Sequence, residues 1–112
     1  MENNIARNLN FLELLCKSKC KVRKELVKNA TKDQIMSICE IIFNILHGVV
    51  SLSPDDILKL SKRKETLRQL VKKRSSIKHK KLLIQKGGFL QFIIPALITG
   101  IASVVSSVIE KS

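Results

Sequence analysis

The feature that most constrains this chain is its last third. A dense basic stretch, Lys59 to Lys86, runs through Gly87-Gly88 into Phe89 to Ile109, a run of 21 residues without a formal charge. Residues 57–86 hold 12 Lys/Arg against Glu65 alone, a net of +11. Residues 1–56 hold 8 against 7 acids, and Glu110 and Lys111 cancel in the remainder. Almost the whole formal charge of +12 therefore sits in one stretch. A block of that kind seeks polyanions, either nucleic-acid phosphates or anionic lipid headgroups. The apolar run beside it is about 31 Å long as a helix, enough to cross a hydrocarbon core. Something apolar must cover it, lipid or protein.

The 112 residues allow one small domain with tails. Apolar mass comes from Ile, Leu and Val, because the only aromatics are Phe11, Phe43, Phe89 and Phe92. Much of that mass lies in the tail, which leaves the rest little for a core. The expectation is an all-α, small open helical assembly, or one completed by a partner. It divides into an N-terminal helical region (1–50), a basic helical region (51–86) and an apolar C-terminal helix (87–112).

Helical spacing carries the fold class. Ile5, Leu9, Leu12, Leu15 and Cys16 predict a first helix from Asn4 to about Cys20, which Val22, Leu26 and Val27 extend. Thr31-Lys32-Asp33-Gln34 has the form of a capping box. It opens a helix with Ile35, Ile38, Cys39, Ile42, Ile45 and Leu46 on one face, and Gly48 is a natural stop. Ser53-Pro54-Asp55-Asp56 starts a third helix with an N-cap, a proline at the first position and acids on the positive dipole end. Ile57, Leu60, Leu67, Leu70 and Val71 give it a narrow apolar stripe. Ser75-Ser76 interrupts it, Ile77 to Gln85 forms another short basic helix, and Gly87-Gly88 is a hinge or stop.

Within the tail, Ala96, Thr99, Gly100, Ser103, Ser106 and Ser107 fall at helical spacing. Opposite them run Ile94, Leu97, Ile98, Ile101, Val104, Val105 and Val108. One face is small and the other bulky, a pattern that lets helices approach closely. Pro95, one turn in, predicts a kink.

The residues support no enzyme. There is no paired-carboxylate site, no phosphate loop and no nucleophile with a placed base. Cys16, Cys20 and Cys39 are odd in number, and His47 and His79 are far apart. Neither a disulfide framework nor a metal site follows, and no cofactor is implied. The thiols suit a reducing compartment, and the polar N-terminus does not have the form of a signal peptide.

The candidate sites are two surfaces. Lys59, Lys62, Arg63, Lys64, Arg68, Lys72, Lys73, Arg74, Lys78, Lys80, Lys81 and Lys86 are the candidate contacts to nucleic acid or anionic lipid. With no aromatic side chain among them there is no stacking platform, so binding is expected to be electrostatic and independent of sequence. Phe89, Leu90, Ile94, Leu97, Ile98, Gly100, Ile101, Val104, Val105 and Val108 are the candidate membrane or helix-packing set. If the tail spans a bilayer, the adjacent cations stay on the cytoplasmic side. If it does not, the tail lies on a membrane or docks in a groove of a capsid protein or cellular regulator.

The junction carries a resemblance. Lys80-Lys81-Leu82-Leu83, then Gln85-Lys86-Gly87-Gly88-Phe89-Leu90, then Ile94-Pro95-Ala96-Leu97-Ile98, resembles the C-terminal signature of adenovirus core protein X, the mu precursor. The likeness is closer to the X-like proteins of Polinton/Maverick elements and adintoviruses. To these the chain is also similar in Asn8-Leu9-Asn10-Phe11-Leu12, in Leu52-Ser53-Pro54 and in the Lys-rich helix. Likeness to the adenovirus protein covers residues 78–108, and likeness to the others covers most of the chain. The adenovirus protein is Arg-rich where this chain is Lys-rich. The resemblance implies a small virion protein bound to packaged double-stranded DNA, found in the virion and in the host nucleus or cytoplasm.

Overall fold

The structure is a computed structural model. It describes the backbone of residues 4–48, 52–72, 74–86 and 88–111, and among these the side chains of residues 5–103 and 105. Among the described residues there are eight helices and no strand. They are α1 (Asn4–Arg7), α2 (Leu9–Lys17), α3 (Cys20–Lys28), α4 (Lys32–Leu46), α5 (Pro54–Ser61), α6 (Lys64–Val71), α7 (Ile77–Gln85) and α8 (Phe89–Lys111). The all-α class is as the spacing of apolar residues implies.

Local chemistry sets most boundaries. Thr31 and Gln34 close the capping box of α4: the Gln34 amide donates to Thr31 Oγ1 at 3.2 Å, and the Thr31 amide donates to Gln34 Oε1 at 2.9 Å. Beyond its other end Gly48 sits at φ +72, a left-handed conformation that glycine adopts without a Cβ clash. Ser53 caps α5 by accepting from the Asp56 amide, and Ser76 caps α7 by accepting from the His79 amide. Gly88, at φ +76, turns the chain from α7 into α8, while Gly87 lies outside the described residues.

Two predicted helices are divided. The N-terminal one is three helices, with breaks at Asn8 and at Ser18-Lys19. The Ser18 hydroxyl donates to the Leu14 carbonyl at 2.6 Å, taking up one carbonyl at the end of α2. Arg23 then reaches back from α3, donating from Nε to Leu15 O at 3.0 Å and from Nη2 to Cys16 O at 2.9 Å. One guanidinium thus caps α2 and folds α3 against it. The third predicted helix divides at Lys62-Arg63 into α5 and α6. The change of direction buries Leu60, Leu67 and Leu70 but leaves Ile57 55% exposed, against the stripe expected of it.

The larger correction concerns the tail. Counting apolar residues set it apart from the rest, whereas α8 is the element around which the others assemble. It packs on α4, α2, α1, α5 and α7. Phe89, Leu90, Ile93, Ile94, Ala96, Leu97 and Ile101 are buried in one cluster with Leu12 and Leu15 of α2, Ile35, Ile38, Ile41 and Ile42 of α4, and Leu67 and Leu70 of α6. The tail itself supplies the missing core. The Cα radius of gyration is 13.2 Å, and a compact domain of this length is expected at about 13 Å. α8 is continuous through Pro95; the Thr99 hydroxyl donates to the Pro95 carbonyl at 3.2 Å.

Candidate polyanion interface

The helices α5, α6 and α7 present most of the basic stretch to solvent. Each lays a narrow apolar edge on the core, which turns its remaining positions outward. Lys59, Lys62, Arg63, Lys64, Arg68, Lys72, Arg74, Lys78 and Lys86 are exposed. Arg63 holds its guanidinium over the Phe92 ring, 5.1 Å from the centroid, which ties the α5–α6 connection to α8 while leaving the cation at the surface. Lys73 lies outside the described residues.

Two lysines of the candidate set behave differently. Lys81 is half-buried and donates from Nζ to the Lys28 carbonyl at 3.3 Å. Lys80 is 3% exposed, so it is not part of the surface to which the sequence assigned it. Its ammonium donates to the Leu70 carbonyl and, at 2.7 Å, to the Lys72 carbonyl. These groups end α6 without intrahelical partners, and α7 crosses close enough for Lys80 to serve them. The cation is consumed by the fold.

The structure also shows cations that the charge count passed over. Lys17, Lys19, Lys21, Lys24 and Lys28 are exposed on and before α3, and α3 packs directly on α7. Residues 17–28 hold six Lys/Arg against Glu25 alone, a signal present in the sequence. Summing over 1–56 cancelled it against acids elsewhere.

The tail set is mostly core. Phe89, Leu90, Ile94, Leu97, Gly100 and Ile101 are buried, Val105 is half-buried, and Ile98 is 52% exposed. The side chains of Val104 and Val108 lie outside the described residues. The small face does permit a close approach, to α4: a Cβ on Gly100 would stand 2.5 Å from Ile41 Cγ2. Among the described residues no single helix is long and apolar enough to cross a membrane. α7 and α8 reach that length only together, bent by 103°.

The cysteines are free. Burial pushes the Cys39 thiol up to about 11, with the Lys80 ammonium pulling the other way. Burial also raises Cys16, opposed by Arg23, while Cys20 is exposed. Among the described residues no group of His, Cys, Asp and Glu could hold a metal ion. No protein-family model, curated protein or solved structure matches this chain.

Proposed function

We propose that this is a non-enzymatic virion core protein that binds double-stranded DNA by neutralising phosphate charge, without regard to sequence. The observation that carries the reading is the exposure of nine cations along α5, α6, α7 and their connections, on helices anchored to a compact core. From residue 57 to 86 Glu65 is the single acid, and Asp55 and Asp56 stand at the N-terminal end of α5. Cations held apart on a folded surface repel one another unless a polyanion lies against them. The likeness of the Lys80–Ile98 junction to the X-like proteins supports packaged DNA as that polyanion. In this reading α8 serves as the platform that holds the basic helices.

The test is salt dependence of binding to two duplexes of unrelated sequence. Each phosphate contact releases counterions, with a log–log slope of about −0.9 per contact. Six contacts lower affinity on the order of a thousandfold between 50 and 200 mM salt. Replacing Arg68, Lys72 and Arg74 together by Gln is expected to flatten the slope by up to about 2.7 on both duplexes. A slope near zero, or strong preference for one duplex, would overturn the reading.

A further inference from the structure

We infer that the DNA backbone is gripped by a composite surface in which α3 and α7 lie antiparallel and present their lysines together. The inference rests on the DNA reading above and names the part of the molecule that does the work. Two observations fix the pairing. Near one end, Arg23 and Lys24 of α3 line the same surface depression as Ile84, Gln85 and Lys86. Further along, Lys81 Nζ donates to the carbonyl of Lys28. Numbers rise along α3 as they fall along α7, so the helices run in opposite directions. Lys24 neighbours Lys86, and Lys28 neighbours Lys81. Lys21 lies three residues before Lys24, and Lys78 three before Lys81, each about one turn away on its helix.

Six lysines, Lys21, Lys24, Lys28, Lys78, Lys81 and Lys86, therefore gather along two short helices. α3 has nine residues, or about 13 Å. That length matches about four base-pair steps of duplex at 3.4 Å per step on each strand. Acids are few on the two helices. α7 has none in its sequence, Ile77 to Gln85. The one acid of α3, Glu25, lines the groove against α2 with Phe11, Leu14 and Val22; it is four residues from Lys21 and three from Lys28, so it borders the lysine set on the α2 side. α3 and α7 carry no Phe, Tyr or Trp, and the single imidazole of His79 is the one ring on either helix, so lysine contacts to the phosphodiester backbone dominate the ligand chemistry. The basic stretch alone would place binding on residues 57–86; the fold adds a second, separate segment to it.

The full-length chain tests this with charge-matched pairs. Lys24→Gln with Lys28→Gln removes two lysines from the composite surface. Lys59→Gln with Lys62→Gln removes two exposed lysines from α5 and its C-terminal cap; α5 packs on α8. All four side chains are exposed, so circular dichroism and melting should match the parent protein. Binding to a fluorescent duplex of mixed sequence is read by anisotropy from 50 to 300 mM salt. The α3 pair is expected to flatten the log–log slope by about 1.8 and to lower affinity about 60-fold at 0.1 M salt. The α5 pair should lower it several-fold less. Equal effects of the two pairs, or a larger effect of the α5 pair, would overturn the composite surface while leaving the DNA reading intact. A parent protein that ignores the duplex and binds phosphatidylserine vesicles would overturn both.

Discussion

At the scale of single residues, neighbours in one basic run do opposite things. Lys78 and Lys80 are two positions apart, yet Lys78 is exposed and Lys80 is buried on the carbonyls of Leu70 and Lys72. Nothing in the run distinguishes them. The difference arises because α7 crosses the end of α6, so one of its faces meets carbonyls left without an intrahelical donor. Arg23 repeats the device at the end of α2. In both cases a cation that looks free for a ligand is spent on a helix terminus. Lys80→Met keeps the apolar stem and removes the donors, leaving the Leu70 carbonyl unserved and the Lys72 carbonyl with the Ser75 amide alone; it is expected to destabilise the fold by about 1–3 kcal/mol in urea denaturation. Because the cation is not on the surface, the DNA salt slope should hardly change. Lys78→Met should do the reverse, with parental stability and a slope flatter by about 0.9. Parental stability of Lys80→Met would mean that the end of α6 does not depend on it.

At the scale of elements, the starts of α4, α5 and α7 and the stop at Gly48 were legible, and the breaks inside the first and third predicted helices were not. Thr31, Ser53 and Ser76 announce α4, α5 and α7 through their own hydroxyls, a chemistry confined to a few residues. The breaks at Ser18-Lys19 and Lys62-Arg63 depend on where α3 and α6 find partners, and that information is not local. The tail shows the same limit more sharply. An uncharged helix with one small face suits lipid and a protein interior alike, since both reward apolar surface and close approach. Only the matching face of α4 decides in this structure, through Ile41 against Gly100. Gly100→Leu should therefore overpack that crossing and lower stability by about 1–3 kcal/mol, even after the gain in helix propensity. Ile41→Ala alone opens a cavity and costs about 2–5 kcal/mol. Together they should lose clearly less than the sum, because the added side chain fills the space left by the removed one. Strict additivity in a four-protein melting cycle would mean that the helices do not touch there.

At the scale of the whole molecule, the charge that defines this chain and the apolar helix that follows it are one design. The basic helices have little apolar surface of their own, and a separate domain built from them would have almost no core. α8 gives α5 and α7 something to lie on, while α6 lies on α4 and α7, and six of the large side chains of α8, Phe89, Leu90, Ile93, Ile94, Leu97 and Ile101, are buried in the result. Burial of each is worth about 1.5–3 kcal/mol. Their combined loss, about 9–18 kcal/mol, is as large as the whole net stability of a small domain, about 5–15 kcal/mol. Residues 1–86 alone are thus expected to lose cooperative thermal unfolding, expose the α4 stripe of Ile35, Ile38 and Ile42, and bind a hydrophobic dye or aggregate. Ile101→Arg in the full chain should act in the same direction in plain buffer, by placing an unpaired cation in the core. Neither effect needs a membrane, and that distinguishes this role of α8 from insertion. If residues 1–86 instead melt cooperatively and bind duplex with the parental salt slope, the core does not require α8. The tail would then be free to meet lipid or a partner groove, and the basic helices would carry DNA binding without it.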